Sequence, residues 1–329
     1  MSRARSVVAP IVLGLAVLAL GACAARSVEP MAGACPQPTD SAWPTKYWGL
    51  KTIDACSAWA RVSDASSAKI AVLDSGIIVH PDLPGRVWPA DGNRCKIGDP
   101  SQTDDDGHGT KVAGVIGGKR DGQSAVGVAW SARLLSYKFL CPSGFTVDRA
   151  LDAMRVALKA SPDVVNASWT QFPQSPDDDA ALAELNTLIA GNANVLFVFA
   201  APYGIGGAYP AFAKQPNVLV VTASNSDDTL PRWAGRDKDL VHLAAPGVGI
   251  ATSDNVNGKP GSTATFQGSS AAAAFVSGCA ALVKLASSKP LKGADIANQL
   301  TSTAATPSGV TSGVKFGRLN CGAAVSAVP

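Results

Sequence analysis

The sequence predicts an α/β protein of three layers, in which a mostly parallel central sheet carries helices on both faces. Short apolar runs have the length and composition of strands buried on both faces. These runs occupy residues 69–74, 164–168, 195–200 and 218–223. Helical patterns between the runs, which are typical of parallel sheets, occupy residues 110–118, 147–160 and 178–190. Composition agrees with a large folded core, because 47% of the 329 residues are hydrophobic and 16% are charged.

A further segment, 271–286, is predicted to form a helix inside the domain. Its only clearly polar side chains are Ser277 and Lys284, and a helix that is apolar nearly all round packs in a protein interior. Residues 293–305 predict another helix closer to the surface. The charge is nearly balanced, with 28 Lys and Arg against 25 Asp and Glu. That balance argues against a nucleic-acid partner, which would usually require a basic stripe.

The N-terminal segment 1–22 is predicted to be an export signal. Arg3 and Arg5 precede an uncharged apolar run over 7–22, which is shorter than a comfortable transmembrane helix. The run ends in LGAC, and small residues directly before Cys23 resemble the cleavage site of bacterial lipoproteins. This resemblance implies that Cys23 is acylated and becomes the new N-terminus. The alternative is an ordinary signal peptide cut nearby, with Cys23 incidental.

The chain after Cys23 divides into a tether and one domain. Residues 23–44 are aperiodic and predict a tether, and residues 45–329 predict the folded domain. We therefore expect a monomer that is exported and held by lipid, either on the periplasmic side of an outer membrane or on the outer face of the cell membrane.

Six cysteines remain in the exported chain, and an even number in an oxidising compartment predicts three disulfides. Many pairings are compatible with six cysteines, and the sequence does not choose among them. From positions in the chain we favour Cys35–Cys56, Cys95–Cys141 and Cys279–Cys321. No C-x-x-C pair or His/Cys cluster indicates a zinc site.

Three polar residues stand where chemistry is expected in such a sheet. Asp74 ends the first predicted strand, His108 opens a helix of small residues, and Ser270 directly precedes the buried helix. Each alone has an ordinary explanation as a turn residue or a helix cap. Together they provide a nucleophile, a base and a carboxylate to orient the base, and the helix N-terminus supplies donors for an oxyanion. Their order, Asp…His…Ser, is that of subtilisin.

The segments around these residues resemble the subtilisin-like serine peptidases, or subtilases. Asp74 lies in VLDSGI, His108 in DGHGTKVAG and Ser270 in GSSAAAAFVSG. The segment DVVNASW resembles the family's substrate-binding strand, and the similarity spans roughly residues 45–325. The resemblance implies the subtilisin fold and peptide-bond hydrolysis through an acyl-enzyme on Ser270. His108 would be the base and Asp74 its orienting carboxylate.

Two departures from the family pattern concern the substrate cleft. The family usually has Gly-Asn after the strand at 195–200, where the Asn side chain donates to the oxyanion; this chain has AAPYG, which makes Tyr203 a candidate replacement. Where the family shows Ser-Leu-Gly-Gly, this chain has Ser168, Trp169, Thr170 and Gln171. These added side chains are either neutral surface variation or the walls of a narrowed pocket with restricted specificity. Ser168, Trp169, Thr170 and Tyr203 are therefore the predicted substrate-binding residues.

Other polar residues receive structural explanations. No cofactor is required, and the case for a structural calcium ion is weak, because the matching loop 119–124 offers only Asp121 as a carboxylate ligand. The acidic run 104–106 is predicted to be a solvated loop. His80 is predicted to stand in a turn and His242 in a packed strand, which leaves His108 as the base.

Two functions remain open at this stage. The first is a membrane-anchored endopeptidase that acts on extracytoplasmic polypeptides, and the complete Asp-His-Ser set favours it. The second is a subtilase-like scaffold or peptide-binding lipoprotein with weak or no activity, and the missing Asn favours it.

Overall fold

The computed structural model describes residues 47–89, 91–96, 103–121, 125–170, 176–205, 209–254 and 263–329. These residues belong to one compact unit. The predicted signal segment, Cys23 and the tether lie outside them. The fold is the predicted three-layer α/β arrangement.

Eight parallel strands form the central sheet. In chain order they are β1 (Lys69–Asp74), β2 (Arg86–Val87), β3 (Arg133–Lys138), β4 (Val164–Ala167), β5 (Leu196–Ala200), β6 (Val218–Ser224), β7 (Leu243–Pro246) and β10 (Gly317–Arg318). Across the sheet their order is β10-β7-β6-β5-β4-β1-β3-β2. A separate antiparallel pair consists of β8 (Ile250–Ser253) and β9 (Thr263–Phe266). The first strand thus lies inside the sheet, and its carboxyl end opens between two neighbours, where sheets of this kind place their sites.

Helices cover both faces of the sheet. They are α1 (Trp48–Thr52), α2 (Ala55–Arg61), α3 (His108–Gly117), α4 (Val147–Lys159), α5 (Pro176–Gly191), α6 (Ser269–Ala286), α7 (Gly293–Ser302), α8 (Ser308–Thr311) and α9 (Cys321–Ser326). Alternate residues of β1 enter two cores: Ile70 and Val72 pack with α3 and α6, whereas Ala71 and Leu73 pack with α4 and α5. This alternation follows from the period of two in a strand and explains the continuous apolar runs in the sequence.

The helix α6 is the buried helix predicted for 271–286, and it begins two residues earlier, at Ser269. It is long and apolar enough to cross a membrane by composition, yet 78% of it is buried inside the protein. It is therefore a core helix. The earlier start places Ser270 in the first turn.

The strand β3 and the helix α2 are not predicted from the sequence. In β3, the charged Arg133 and Lys138 flank a short run that Ser136 interrupts, so the run lacks the apolar continuity of its neighbours. Nevertheless, β3 pairs with β1 along its whole length, and Lys138 lies opposite Asp74.

Two of the favoured disulfides are confirmed. Cys95–Cys141 and Cys279–Cys321 are both formed, with Cα–Cα distances of 5.6 and 5.7 Å. The second joins α6 to α9. Cys56 is also disulfide-bonded, and its proposed partner Cys35 lies outside the described ranges.

Candidate active site

The site begins where the end of β1 meets the start of α3. Asp74 is the last residue of β1 and His108 the first of α3. A side chain at the next position would not fit, because a Cβ on Gly109 would lie 2.1 Å from the Gly76 carbonyl oxygen and 3.1 Å from the Asp74 Cβ. Glycine at 109 therefore lets the helix start directly against the strand end. This contact brings the imidazole to the carboxylate.

His108 and Asp74 form a short hydrogen bond in a sheltered position. The Nδ1 of His108 lies 2.7 Å from the Oδ1 of Asp74, and Asp74 is fully buried. The same oxygen accepts the backbone N–H of Ser75 at 2.7 Å. On its other side the imidazole meets the ring of Phe266, edge to face, at 5.4 Å between centroids. These contacts fix the orientation of the ring. They leave Nε2 as the ring nitrogen that can accept a proton.

Asp104 contradicts the prediction that the acidic run 104–106 is a solvated loop. Asp104 is buried, with 5% of its surface exposed. Its carboxylate accepts hydrogen bonds from the Gly107 N–H at 2.7 Å, the Thr110 N–H at 2.8 Å and the Ser75 hydroxyl at 2.7 Å. The physical reason for its burial is that the first turn of α3 has unpaired N–H groups, which this carboxylate satisfies. Asp105 and Asp106, in contrast, are exposed.

Sequence reasoning missed Ser75 as a link between these parts. Its hydroxyl donates to Asp104 and accepts the Gly109 N–H at 2.9 Å. The strand end, the acidic loop and the helix start are thereby joined by one side chain. The available signal was its position between Asp74 and the turn, where a serine hydroxyl commonly bonds to nearby backbone.

The carboxylates around His108 change its basicity. Burial of the imidazole by itself disfavours the imidazolium and lowers the pKa. The charge and hydrogen bond of Asp74 oppose this effect, and the charges of Asp106 and Asp104 add to them. The net result is a pKa of His108 above its ordinary value of 6.5.

Ser270 stands at the start of α6 in a network of neutral groups. Its hydroxyl donates to the Ser168 carbonyl oxygen at 2.9 Å, and the Ser168 hydroxyl donates to the Ser270 carbonyl oxygen at 3.0 Å. Behind them, the Asn166 amide donates to the Ser168 hydroxyl at 2.9 Å, and the Ser277 hydroxyl donates to Asn166 at 2.8 Å. No hydrogen bond joins Ser270 to His108, both of which the structure describes. The hydroxyl proton of Ser270 must leave the Ser168 carbonyl oxygen to make that bond.

The two sides meet in one cavity of about 490 Å³. The cavity contains two of the three catalytic candidates and all four predicted substrate-binding residues: His108, Ser270, Ser168, Trp169, Thr170 and Tyr203. Asp74 lies behind the imidazole. Asp105 and Asp106 also line the cavity, so its rim is acidic beside His108.

The side chain of Trp169 fills a position beside the cavity rather than standing free in it. The indole is 5% exposed and lies 5.4 Å from the ring of Phe139, 5.5 Å from Phe145 and 5.5 Å from Phe199, measured between centroids. Tyr203 is its opposite, with 60% of its surface exposed and its ring edge-on to Trp233 at 5.4 Å.

The remaining histidines are held away from the cavity. His80 is buried in a turn, where its Nδ1 accepts the Asp82 N–H at 3.1 Å. His242 lies directly before β7 rather than in a strand, and its Nδ1 accepts the Val220 N–H at 2.9 Å. Burial, together with the charge of Lys315, lowers the pKa of His242 to about 4.

The calcium ion considered at Asp121 stays a prediction. Asp121 forms an ion pair with Lys119 at 3.2 Å, and residues 122–124 of that loop are outside the described part of the chain. Within the described part, no group of three or more His, Cys, Asp or Glu side chains has the arrangement of a metal site.

Comparison with known proteins agrees with this geometry. The model of the Subtilase family matches residues 65–317. Subtilisin Savinase of Lederbergia lenta is 34% identical over 242 residues, which cover 72% of this chain and 83% of Savinase. An alkaline protease of Shouchella clausii is also 34% identical over 242 residues, but the match covers only 59% of that longer protein.

Solved structures show the same fold. The MycP3 protease from the type VII (ESX-3) secretion system has a TM-score of 0.71 and 25% identity, with 84% of this chain and 87% of that chain covered. MycP1 with its N-terminal propeptide removed has a TM-score of 0.72 and 23% identity, with coverage of 86% and 97%. At that identity the likeness to MycP1 concerns the fold alone.

Proposed function

Because the chain belongs to the subtilase family and is a serine-type endopeptidase, we propose that it cleaves polypeptides through an acyl-enzyme on Ser270. The observation that carries this assignment is the 2.7 Å hydrogen bond between His108 and Asp74 at the wall of a cavity that also contains Ser270. A hydroxyl becomes a nucleophile at neutral pH when an oriented base takes its proton.

The proposed reaction follows from these positions. Ser270 turns from the Ser168 carbonyl towards His108, whose Nε2 takes the hydroxyl proton while Oγ bonds to the substrate carbonyl carbon. The carbonyl electron pair moves to its oxygen and then returns as the C–N bond breaks, and His108 gives the proton to the leaving amine. Water repeats the sequence on the ester and regenerates Ser270. Asp74 keeps the imidazole in the required tautomer and stabilises the imidazolium.

Labelling with a fluorophosphonate probe tests this assignment. We expect wild type to be labelled and Ser270→Ala to remain unlabelled, because the probe needs an activated hydroxyl. Ser143→Ala is a matched control, since Ser143 is an exposed serine between two cavity-lining residues, and it should label like wild type. A folded wild type that does not label would favour the alternative of a peptide-binding scaffold.

We further propose that the cleft restricts the choice of substrate. Leu140, Phe145 and Trp169 provide an apolar wall of the cavity, which suits an apolar side chain. Thr170 lines the cavity but takes no part in the ring cluster of Trp169. The Thr170→Gly variant should therefore cleave peptides with larger side chains than wild type does. The measurement is the cleavage of a peptide set in which one position is varied. An unchanged cleavage profile would mean that Thr170 does not limit the pocket.

We also propose that residues 1–22 are removed, that Cys23 carries lipid, and that residues 23–44 tether the peptidase domain, 45–329, to a membrane. The enzyme would then act on extracytoplasmic polypeptides. The support is the LGAC pattern and the formed disulfides, which are typical of oxidising compartments. Mass spectrometry of the N-terminal peptide should find an acylated Cys23. Cys23→Ala should move the protein from the membrane to the soluble fraction, and an unchanged distribution would contradict the anchor.

A further inference from the structure

We propose that the phenol of Tyr203 donates a hydrogen bond to the oxyanion that forms when Ser270 attacks a peptide carbonyl. It would act beside the backbone N–H of Ser270. This inference rests on the proposed function, because it assigns a role within the same acyl transfer. It accounts for how the chain stabilises the oxyanion although the resembled family's asparagine is replaced after β5.

The geometry that supports Tyr203 is found at Gly268, directly before α6. A Cβ on Gly268 would lie 3.3 Å from the Tyr203 hydroxyl oxygen, 3.6 Å from the Ser270 nitrogen and 4.0 Å from the Ser270 Cβ. The phenol oxygen, the Ser270 nitrogen and the Ser270 Cβ thus lie within 4.0 Å of one point beside Gly268. Gly268 leaves this space open and has a φ of +139°, which other residues rarely adopt. A substrate carbonyl bonded to the Ser270 Oγ would therefore have both donors nearby.

The other polar side chains near Ser270 are already engaged. The Ser269 hydroxyl donates to the Ala201 carbonyl oxygen at 2.8 Å. The Ser168 hydroxyl donates to the Ser270 carbonyl oxygen, and the Asn166 amide donates to Ser168. Tyr203, in contrast, forms no side-chain hydrogen bond with any residue that the structure describes. Its hydroxyl is therefore available as a donor to a bound substrate.

The exposed Tyr203 nevertheless has a defined position. Its ring packs edge-on against Trp233. The following residue is fixed by backbone hydrogen bonds, since the Gly204 N–H donates to the Trp233 carbonyl at 3.0 Å and the Arg236 N–H donates to the Gly204 carbonyl at 3.1 Å. The loop after β5 therefore holds the phenol before substrate binds, and such preorganised donors lower the barrier most.

In the reaction, the phenol keeps its proton. When the bond from Ser270 Oγ to the carbonyl carbon forms, the electron pair of the C=O bond moves to oxygen and the hydroxyl proton moves to His108. The phenol O–H and the Ser270 N–H then donate to the negatively charged oxygen. When the tetrahedral intermediate collapses, that electron pair re-forms the carbonyl, the C–N bond breaks and His108 gives its proton to the leaving amine. Both hydrogen bonds to the oxygen then weaken.

The test is Tyr203→Phe, which removes only the hydroxyl and keeps the ring against Trp233. We expect kcat to fall about 10²–10³-fold with KM little changed, the loss known for removal of one oxyanion donor. Labelling by the fluorophosphonate should slow as well, because its phosphoryl oxygen occupies the same place. Tyr209→Phe is the matched control, because Tyr209 is not among the cavity-lining residues, and its kcat should equal that of wild type.

Two results would overturn this role. An unchanged kcat for Tyr203→Phe in an enzyme that labels and turns over would show that the phenol does not contact the oxyanion. A raised KM with unchanged kcat in Tyr203→Phe would mean that the phenol contributes equally to binding the ground state and the transition state. Failure of the proposed function is distinguishable from both, because wild type itself would then neither label nor cleave.

Discussion

His108 and Ser270 each stand at the start of a helix, but the hydrogen bonds around them differ. His108 already donates to a buried carboxylate, and a second buried carboxylate, Asp104, holds the turn that carries it. Ser270 donates to the backbone carbonyl of Ser168 within a network of neutral groups. The proposed base, His108, is thus oriented at rest, whereas the proposed nucleophile, Ser270, must exchange one hydrogen bond for another.

This difference teaches which half of the site depends on charge. Around the base, carboxylates set both position and basicity, so single substitutions there affect the chemistry, the pH dependence and the stability separately. Around Ser270, hydroxyl, amide and carbonyl groups set the resting position of the side chain. Because exchange of one neutral hydrogen bond for another costs little free energy, the resting bond of Ser270 is compatible with an active enzyme.

We expect the largest effect from a substitution that removes the carboxylate beside His108. In Asp74→Asn the side chain no longer provides a carboxylate to hold the imidazole tautomer, and kcat should fall about 10⁴-fold. The measurement is kcat on a peptide substrate, with circular dichroism to show that the fold is kept. A kcat equal to that of wild type would mean that another group orients His108.

A smaller effect separates the support of the base from its chemistry. Asp104→Ala removes the acceptor of two backbone N–H groups and of the Ser75 hydroxyl. Buried donors without acceptors should lower the free energy of unfolding by about 1–3 kcal/mol, measured by urea denaturation. The exposed Asp106 is the matched control, and Asp106→Ala should unfold like wild type. Equal losses in both variants would contradict the capping role of Asp104.

The titration of His242, which lies outside the cavity, affects the pH dependence of stability. It separates unfolding at low pH from protonation of His108. The pKa of His242 is lowered to about 4, so between pH 6.5 and about 4 the unfolded chain binds a proton that the folded protein does not. This group should therefore reduce stability as pH falls, by at most about 1.4 kcal/mol per pH unit. His242→Gln should flatten the decline between pH 7 and pH 5. An identical decline in the variant would assign it to other groups.

The smallest expected effect is a shift in the pH dependence of kcat/KM, which tests how the carboxylates act on His108. Since the pKa of His108 is raised, kcat/KM should rise with pH with a midpoint above 6.5. Asp106→Asn removes one charge that favours the imidazolium, so the midpoint should move to lower pH. Added salt should shrink the difference between variant and wild type, because Asp106 is exposed. A kcat/KM that does not change as the pH passes through and above 6.5 would contradict the role of His108 as the base.

The sequence-based prediction succeeded where residue type and local pattern decide the outcome. The apolar strands β1, β4, β5 and β6 and the buried helix α6 are apolar because both faces or all sides are covered. Asp74, His108 and Ser270 were chosen by motif and stay predictions as catalytic residues; the structure places His108 against Asp74 and lines one cavity with His108 and Ser270.

The failures have a common physical cause, which is that tertiary neighbours decided them. Three adjacent aspartates are usually solvated, and only the approach of α3 to β1 supplies the donors that bury Asp104. The strand β3 has two charged ends, and its buried Lys138 finds partners only in the tertiary structure: its ammonium pairs with Asp105 at 2.5 Å and donates to the Thr103 carbonyl oxygen at 2.6 Å. The direction of the Ser270 hydroxyl depends on the Ser168 carbonyl, a contact across 102 residues.

The Cys279–Cys321 disulfide determines what happens when one molecule of the peptidase cleaves another. The turn at 288–290 is exposed, so it is open to autolysis, and it lies inside the loop that this covalent bond closes. A nick there leaves α6, with Ser270 in its first turn, attached to α9. The clipped enzyme would migrate as one band on a non-reducing gel and as two after reduction, and self-digestion at that turn need not release the fragment that carries Ser270.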